Sequence, residues 1–293
     1  MRGKICLVTG ATSGIGEATA HGLVALGATV IVHGRDPQKG RRTIEALRQL
    51  ATSRDGRADS AAPPSVTFAQ GDLASLAEVR RLADELARTL PRLDVLVLNA
   101  GLACARRTLT ADGYERTFAV NHLAPFLLTV LLCALLERSS AGRIVVVSSE
   151  AHRRAHLDFD DLMLARGYDQ LRAYSRSKLA NLLFTRALAR RIEGTALTCN
   201  ALHPGVVRTA IFREAPALLR GALATLGRLL LSSPTQGART SLYLASSAEV
   251  AGQSGGYYIR CKPVRPSAAA LDDAAAERLW AASAELTGCG AAS

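Results

Sequence analysis

One feature of this sequence that points to acid–base chemistry is a tyrosine and a lysine four residues apart. Tyr174 and Lys178 fall within residues 171–192, a stretch that predicts a helix, so both side chains project from one face. A free phenol has a pKa of about 10, and a nearby cation favours its ionised form and lowers that pKa. The pair predicts a group that gives a proton to a carbonyl oxygen or takes one from an alcohol. The alternative is an ordinary exposed pair on a helix.

A glycine-rich loop between a strand and a helix is the second feature that points to chemistry. The strand ending at Val8 runs into the sequence TGATSGIG at residues 9–16 and then directly into a helical pattern. Glycine allows close backbone approach, and the free N–H groups at the helix N-terminus attract a pyrophosphate. A tight turn without a ligand is the alternative. The candidate contacts with a dinucleotide are Gly10, Thr12, Ser13, Gly14, Ile15 and Gly16.

The end of the second predicted strand carries the residues that discriminate between nicotinamide cofactors. An acidic side chain there binds the ribose 2′-hydroxyl of NAD(H), whereas an arginine accommodates the 2′-phosphate of NADP(H). Arg35 lies at this position and Lys39 follows one turn later, which favours NADP(H). NAD(H) stays the alternative, because a small loop shift would bring the carboxylate of Asp36 toward the ribose.

The spacing TGxxxGIG, with YxxxK far downstream, resembles the short-chain dehydrogenase/reductase family, and the resemblance extends from Lys4 to about Ile259. It implies an enzyme that moves a hydride between a nicotinamide and a carbonyl or alcohol, with Tyr174 as acid/base and both Tyr174 and Lys178 touching the cofactor. It also implies that Ser149 hydrogen-bonds the substrate oxygen and stabilises developing negative charge. Ser148 is the alternative, since adjacent residues of a strand face opposite sides.

The same resemblance assigns further positions. Asn121 corresponds to a fourth catalytic residue that holds a water relaying protons to Lys178; the alternative is that it only caps a helix kink before Pro125. Leu98 stands where the family's NNAG segment has its first asparagine, which puts one stabilising hydrogen bond in question. The remaining cofactor contacts that the family pattern implies are Asp72 and Leu73 near the adenine, Asn99, Ala100 and Gly101 after the fourth strand, and Pro204, Gly205, Val207 and Thr209 in a loop near the nicotinamide.

The substrate is indicated by two segments. The long stretch between Ser149 and Tyr174, together with SKLAN at residues 177–181, is similar to the retinol dehydrogenase branch of the family. Residues 215–231 (APALLRGALATLGRLLL) form a candidate amphipathic lid over an apolar pocket for a lipophilic aldehyde, ketone or alcohol, retinoid- or steroid-like. A peripheral membrane contact and an oligomer interface are equally open for this segment.

Strand-length apolar runs alternate with helix-length amphipathic segments, which predicts a parallel sheet covered by helices on both faces. We therefore expect an α/β chain: one Rossmann-type, doubly wound, seven-stranded parallel sheet forming a single domain over residues 1–293. Residues 51–65 are predicted to form a surface loop, and residues 284–293 a frayed tail. The predicted strands are 4–9, 28–33, 66–70, 94–98, 143–148, 196–203 and 256–259, and the predicted helices 14–26, 37–50, 76–90, 111–138, 171–192 and 234–245.

Composition excludes other classes of function. The net charge of +11 suggests nucleic-acid binding, but the arginines are dispersed and aromatic residues make up only 4%, which leaves few stacking platforms. The six cysteines form no CxxC pair, so neither a disulfide framework nor a metal site is expected. We expect no transmembrane segment, a cytoplasmic location and, by resemblance, a homodimer or homotetramer. A dinucleotide-binding regulator without turnover is the competing function.

Overall fold

The computed structural model of the protein describes residues 1–52, 65–205 and 233–290. Its centre is one sheet with the strand order β3-β2-β1-β4-β5-β6-β7-β8. Neighbouring strands from β3 to β7 are parallel. The strands are β1 (Ile5–Val8), β2 (Thr29–Gly34), β3 (Val66–Gln70), β4 (Val95–Leu98), β5 (Arg143–Val147), β6 (Thr198–His203), β7 (Tyr257–Ile259) and β8 (Lys262–Pro263).

The doubly wound α/β fold is confirmed, but the strand number is eight and not seven. The additional strand β8 consists of two exposed residues and pairs antiparallel with β7. Arg260 and Cys261 make the intervening turn with φ angles of 50° and 63°. Such a short, polar segment has no apolar pattern, which is why sequence periodicity does not reveal it.

The described helices lie between and after the strands. They are α1 (Gly14–Ala25), α2 (Pro37–Thr52), α3 (Leu76–Thr89), α4 (Arg116–Glu137), α5 (Gln170–Arg191), α6 (Pro234–Ser246) and α7 (Asp273–Thr287). Helix α4 contains a π-helical turn at Ala119–Leu123 between two α-helical parts. It starts at Arg116, five residues later than predicted, because residues 111–115 form a turn whose Glu115 carboxylate caps the helix.

Two predicted boundaries are corrected by these helices. Ala51 and Thr52 belong to the end of α2, so the loop predicted at 51–65 begins later; residues 53–64 lie outside the described part of the chain. Helix α7 was not predicted, and it continues through residues 284–287 of the expected frayed tail. Ala284 and Thr287 are buried there, and Arg80 donates a hydrogen bond to the carbonyl of Thr287, so long-range packing holds this end in place.

Helices cover both faces of the sheet. On one face α3, α4, α5 and α7 pack around residues such as Leu82, Phe126 and Leu183. On the other face α1, α2 and α6 pack around Leu23 and Leu244. The helices on the two faces bury the central strands, which explains why the sequences of these strands are uninterrupted runs of apolar residues.

Helix α4 is long and apolar enough to cross a membrane by length and composition, with a mean hydropathy of 2.0 over its most apolar window. The expectation of no transmembrane segment stays a prediction, because the core helix of a folded chain meets the same criteria of length and composition. Inside the fold, 78% of that window is buried, and its phenylalanine and leucine side chains form part of the core. Burial between α3 and α5 therefore accounts for its apolar character.

Candidate active site

The strand order reverses between β1 and β4, and the residues that follow both strands face one crevice. In open parallel sheets, ligands bind outside the carboxyl ends of the strands at this reversal. The glycine loop follows β1, residues 99–101 follow β4, and Ser149 follows β5. The fold thus brings three segments that are far apart in sequence to the same edge.

Tyr174 and Lys178 lie on helix α5 with both side chains buried. The Tyr174 phenol is hydrogen-bonded to Ser149. The Lys178 Nζ atom donates to the carbonyl of Val147 at 3.0 Å and lies 5.6 Å from the centre of the Tyr174 ring. A phenol, a hydroxyl and an ammonium therefore meet at the end of β5.

The pKa of the phenol differs from the expectation that Lys178 lowers it. Burial raises the pKa of Tyr174 to about 12, and the Ser149 hydroxyl only partly opposes this. Burial also lowers the pKa of Lys178 to about 8. Desolvation disfavours the charged form of each group and is the main cause of both shifts. In this structure the phenol is consequently a neutral proton donor at ordinary pH.

The two serines after β5 are used differently. Ser148 is 1% exposed, and its hydroxyl donates to the carbonyl of Lys178 at 2.8 Å, which binds the strand to helix α5. The Ser149 Oγ accepts the N–H of Ala151 at 3.2 Å, so the proton of this hydroxyl is available for another acceptor. Of the two candidates, only Ser149 is paired with Tyr174.

Asn121 lies in the π-helical turn of α4, and its amide is fully buried. Its Oδ1 atom accepts the N–H of Leu102 at 2.8 Å, while Nδ2 donates to the carbonyl of Leu102 and to Ser177 Oγ, both at 2.9 Å. A Cβ atom built on Gly101 would lie 3.3 Å from this Oδ1 and 3.4 Å from Lys178 Nζ. The amide thus joins the loop after β4 to helix α5 beside the lysine, rather than capping a kink before Pro125.

The glycine loop has the shape that a phosphate-binding turn needs. Gly10 and Gly14 have φ angles of 64° and 60°, which side chains rarely adopt. Ser13 is the N-cap of α1, yet its hydroxyl makes no capping hydrogen bond. Thr12 lies against Gly34 at the end of β2, and Ile15 is buried beneath the loop. The N–H groups at the start of α1 therefore face the crevice beside an uncommitted hydroxyl.

Thr9 and Asn99 fasten this loop to the turn after β4. The Thr9 Oγ1 accepts the N–H groups of Asn99 and Ala100 at 2.9 and 3.0 Å, and Asn99 Nδ2 donates to the carbonyl of Thr9 at 2.9 Å. Leu98, which stands where the family has another asparagine, is buried in the core instead. The turn keeps its form because Thr9 supplies the hydrogen bonds that hold it.

The end of β2 carries an exposed arginine and a committed aspartate. Arg35 and Lys39 are both exposed at this edge of the sheet. The carboxylate of Asp36 accepts the N–H groups of Gln38 and Lys39 at 2.9 and 3.2 Å, and these bonds hold the pKa of Asp36 below its ordinary value. The Oδ1 atom of Asp36 thus caps the start of helix α2.

The remaining predicted contacts are only partly within the described chain. Asp72 accepts the N–H of Ala74 at 3.0 Å in the turn after β3, and Leu73 is buried beside it. Pro204 and Gly205 follow β6 at the same edge as the glycine loop. Val207, Thr209 and the predicted lid at 215–231 lie outside the described residues.

Two buried histidines support this edge and were not predicted as site residues. His33 accepts the N–H of Gly10 through Nδ1 at 3.4 Å and bonds the carbonyl of Gly71 through Nε2 at 3.1 Å. His152 bonds the carbonyl of Ser149 at 2.7 Å. The sequence signal for His33 is a histidine at the end of an otherwise apolar strand. His152 had no signal beyond its place three residues after Ser149.

Within the described residues no group of histidine, cysteine or acidic side chains has the arrangement of a metal site. The cysteines are all free, and three of them, Cys6, Cys104 and Cys199, are buried.

Comparison with known proteins agrees with this geometry. Residues 4–218 match the family model described as short chain dehydrogenase, which is well over half of the chain. The chain belongs to the short-chain dehydrogenase/reductase family. Members of this family are oxidoreductases that act on alcohol or carbonyl groups and use NAD(P)(H), and this chain is one of them.

Within the short-chain dehydrogenases, the chain falls in the retinol dehydrogenase-like branch. It is 44% identical to mouse retinol dehydrogenase 14, with 98% of this chain and 87% of the relative aligned. It is 42% identical to human dehydrogenase/reductase SDR family member 13, with 99% and 74% of the two chains aligned. Similarity over almost the entire length means that the site described above lies inside the aligned region.

Solved structures show the same fold. A crystal structure of an uncharacterised protein from Mycobacterium paratuberculosis superimposes with a TM-score of 0.78 at 34% identity, covering 98% of this chain and 94% of the other. A structure from Beutenbergia cavernae, described as an NAD(P)-dependent gluconate 5-dehydrogenase with bound NADP at low occupancy, has a TM-score of 0.70 at 28% identity and covers 89% of this chain and 96% of the other.

Proposed function

We propose that this short-chain dehydrogenase is an NADP(H)-dependent oxidoreductase of apolar aldehydes, ketones or the matching alcohols, including retinoid- or steroid-like ones. The observation that carries the proposal is the hydrogen bond between Tyr174 and Ser149, with Lys178 beside them, at the same sheet edge as the glycine loop. These groups form the polar environment that a carbonyl oxygen needs during reduction.

The side chains take complementary roles at the substrate oxygen. The bound nicotinamide supplies or accepts the hydride. Tyr174, kept neutral by burial, gives its proton to the oxygen during reduction, and Ser149 donates its hydroxyl proton in a hydrogen bond to the same oxygen, while the Ser149 Oγ still accepts from Ala151. Lys178 is held by the carbonyl of Val147 and keeps a cation near the phenol. Asn121 bonds the backbone of Leu102 and holds the loop after β4 beside this lysine.

The glycine loop fits a dinucleotide. A Cβ atom built on Gly10 would lie 3.0 Å from the Cα atom of Ala100. The glycine loop therefore approaches the turn after β4 as closely as a glycine permits. The groups that would hold the pyrophosphate are the N–H groups at the start of α1 and the uncapped Ser13 hydroxyl. Asn99, Ala100 and Gly101 form the opposite side of the crevice.

The preference for NADP(H) rests on the end of β2. Arg35 and Lys39 are exposed there, whereas the Asp36 carboxylate is occupied by two N–H groups of helix α2. An arginine that is free to turn offers a phosphate a bidentate partner. The NADP found in the Beutenbergia cavernae structure supports the same choice.

The apolar substrate class rests on the relatives. Mouse and human proteins at 44% and 45% identity are named for retinol, a lipophilic alcohol. The basic charge of the chain has no bearing on such a substrate and is compatible with steering an anionic cofactor.

The test is a turnover assay that follows the loss of absorbance of the reduced nicotinamide. Purified protein is offered NADPH or NADH with all-trans-retinal, decanal, hexanal and cyclohexanone. We expect turnover with NADPH, weaker turnover with NADH, and a preference for the larger aldehydes. Tyr174→Phe should still bind NADPH but lose turnover by roughly a hundredfold or more, the scale of general acid catalysis.

An active Tyr174→Phe variant would overturn the role given to the phenol. Binding of NADPH by the wild type without turnover on any of the carbonyl compounds would instead favour the non-catalytic dinucleotide-binding regulator.

A further inference from the structure

His152 lies in the single-turn helix Glu150–Arg154 that follows Ser149, and its ring is completely buried. Both ring nitrogens contact backbone groups. Nδ1 lies 2.7 Å from the carbonyl oxygen of Ser149, and Nε2 lies 3.1 Å from the backbone nitrogen of Ser267. The imidazole thus bridges the serine of the site to a segment more than a hundred residues later in the chain.

These two contacts leave one arrangement of protons. A backbone N–H can only donate, so Nε2 must accept from Ser267. A carbonyl can only accept, so Nδ1 must carry the proton that it donates to Ser149. The neutral ring with the proton on Nδ1 is therefore the form that satisfies both partners.

The bridge acts on the backbone of Ser149 and not on its hydroxyl. The Ser149 carbonyl accepts from the His152 ring and also from the His152 N–H at 3.1 Å, while the Oγ accepts from Ala151. The carbonyl and the hydroxyl of one residue are thus each held by a separate donor. The hydroxyl of the residue held in this way is the one that is hydrogen-bonded to Tyr174.

We propose that His152 is a positioning residue, whose neutral Nδ1–H ring holds Ser149 in the orientation that presents its hydroxyl to Tyr174 and to the substrate oxygen. This inference rests on the proposed function for its catalytic consequence. A ring protonated on both nitrogens would set an N–H against the N–H of Ser267, which breaks the bridge. A misplaced group near the reacting atoms can lower the rate by roughly a hundredfold.

The surroundings oppose protonation of the ring. Burial lowers the pKa of His152 below its ordinary value and the charge of Arg153 adds to this, while the hydrogen bond to the Ser149 carbonyl and the charge of Glu150 act in the opposite direction. Tyr257 on β7 packs its ring edge-on against the imidazole at 5.2 Å and donates its hydroxyl to Glu150 at 2.9 Å. His203 on β6 interacts electrostatically with both His152 and Glu150. The Glu150 carboxylate accepts hydrogen bonds from Tyr257 through Oε1 and from Arg153 through Oε2.

The first test measures the proton positions directly and does not depend on turnover. The nitrogen chemical shifts of the histidine rings are recorded by NMR on protein labelled with ¹⁵N at histidine, and His152→Asn identifies the signals of His152. We expect a protonated Nδ1 and an unprotonated Nε2 at neutral pH. A proton on Nε2 would overturn the inference whatever the activity of the enzyme.

The second test compares variants that keep one half of the bridge. The amide nitrogen of Asn stands near the position of Nδ1, whereas the amide oxygen of Gln stands near that of Nε2. With the better of all-trans-retinal and decanal as probe, we expect His152→Asn to keep most of the kcat. His152→Gln and His152→Phe should lose roughly ten- to a hundredfold in kcat, with little change in the KM for NADPH. His156→Phe, at an exposed histidine four residues on, is the control.

Equal kcat values for the Asn and Gln variants would overturn the inference, as would an unchanged kcat in His152→Phe. Should His152→Phe fail to fold, the Asn and Gln pair decides. Tyr174→Phe is measured alongside: if it remains active, the proposed function fails, whereas an inactive Tyr174→Phe with an unaffected His152→Gln rejects only the role of His152.

Discussion

A Cβ atom added to Gly16 would lie 2.4 Å from the side-chain nitrogen of Asn99. The same atom would lie equally close to the carbonyl oxygen of Gly10, so helix α1 begins in direct contact with both sides of the crevice. Asn99 cannot retreat easily, because this nitrogen donates to the carbonyl of Thr9 at 2.9 Å. The absence of a side chain at Gly16 therefore allows the short distance between the glycine loop and the turn after β4.

Gly16→Ala should separate these two segments and weaken cofactor binding. We expect the Kd for NADPH to rise at least tenfold, because the methyl group must displace either an amide or a backbone carbonyl. Titration of NADPH fluorescence measures the change, and Gly290→Ala, where a Cβ meets open space, is the control. Unaltered affinity in Gly16→Ala would show that the contact does not shape the site.

Replacing Arg35 or Lys39 by Ala should alter the choice between cofactors. We expect the KM for NADPH to rise roughly tenfold or more in Arg35→Ala, since a charge-assisted hydrogen bond contributes about 1.5–3 kcal/mol. The effect of Lys39→Ala should be smaller, and the KM for NADH should stay constant in both. Arg41→Ala, an exposed arginine on α2, serves as control. A parallel rise for NADH would contradict recognition of the 2′-phosphate.

Lys178 should make stability depend on pH in alkaline solution. Its pKa is lowered from 10.5 to about 8 in the folded chain, so between these values the unfolded state holds more protons. Charged Lys178 therefore costs stability below pH 8, and this cost disappears as the pH rises to 10.5. We expect the free energy of unfolding of Lys178→Met, relative to wild type, to fall by about 3 kcal/mol across this range.

Urea denaturation at several pH values measures this difference, with Lys39→Met, at an exposed lysine, as control. A constant difference between Lys178→Met and wild type from neutral to alkaline pH would mean that the buried lysine keeps an ordinary affinity for its proton.

Helix α7 should be held by apolar packing more than by its ion pairs. Leu279 is 1% exposed in the core, and deleting such a side chain costs about 2–5 kcal/mol. Asp273 pairs with Arg186 and Arg190 at the surface, where solvent screens the attraction. Thermal unfolding of Leu279→Ala and Asp273→Asn compares the two contributions. We expect a large loss only for Leu279→Ala, and a larger loss for Asp273→Asn would reverse this ranking.

The features of this protein that depend on local spacing could be predicted from the residues alone. Tyr174 and Lys178 are four residues apart on a helix, so their common face follows from the helical repeat. The strand, glycine loop and helix at the N-terminus are consecutive, and alternating strands and helices predict a doubly wound sheet. These elements can be predicted without any knowledge of contacts between distant residues.

Which groups meet, and how their protons are held, follows from contacts between segments that are distant in the chain. That Ser149 is paired with Tyr174, while Ser148 bonds the carbonyl of Lys178, depends on how β5 meets helix α5, and the raised pKa of Tyr174 depends on burial by the whole fold. Helix α7 and the link from His152 to Ser267 likewise join segments far apart in the chain. Desolvation and long-range packing are sums over many distant atoms, and a local pattern of residues does not contain them.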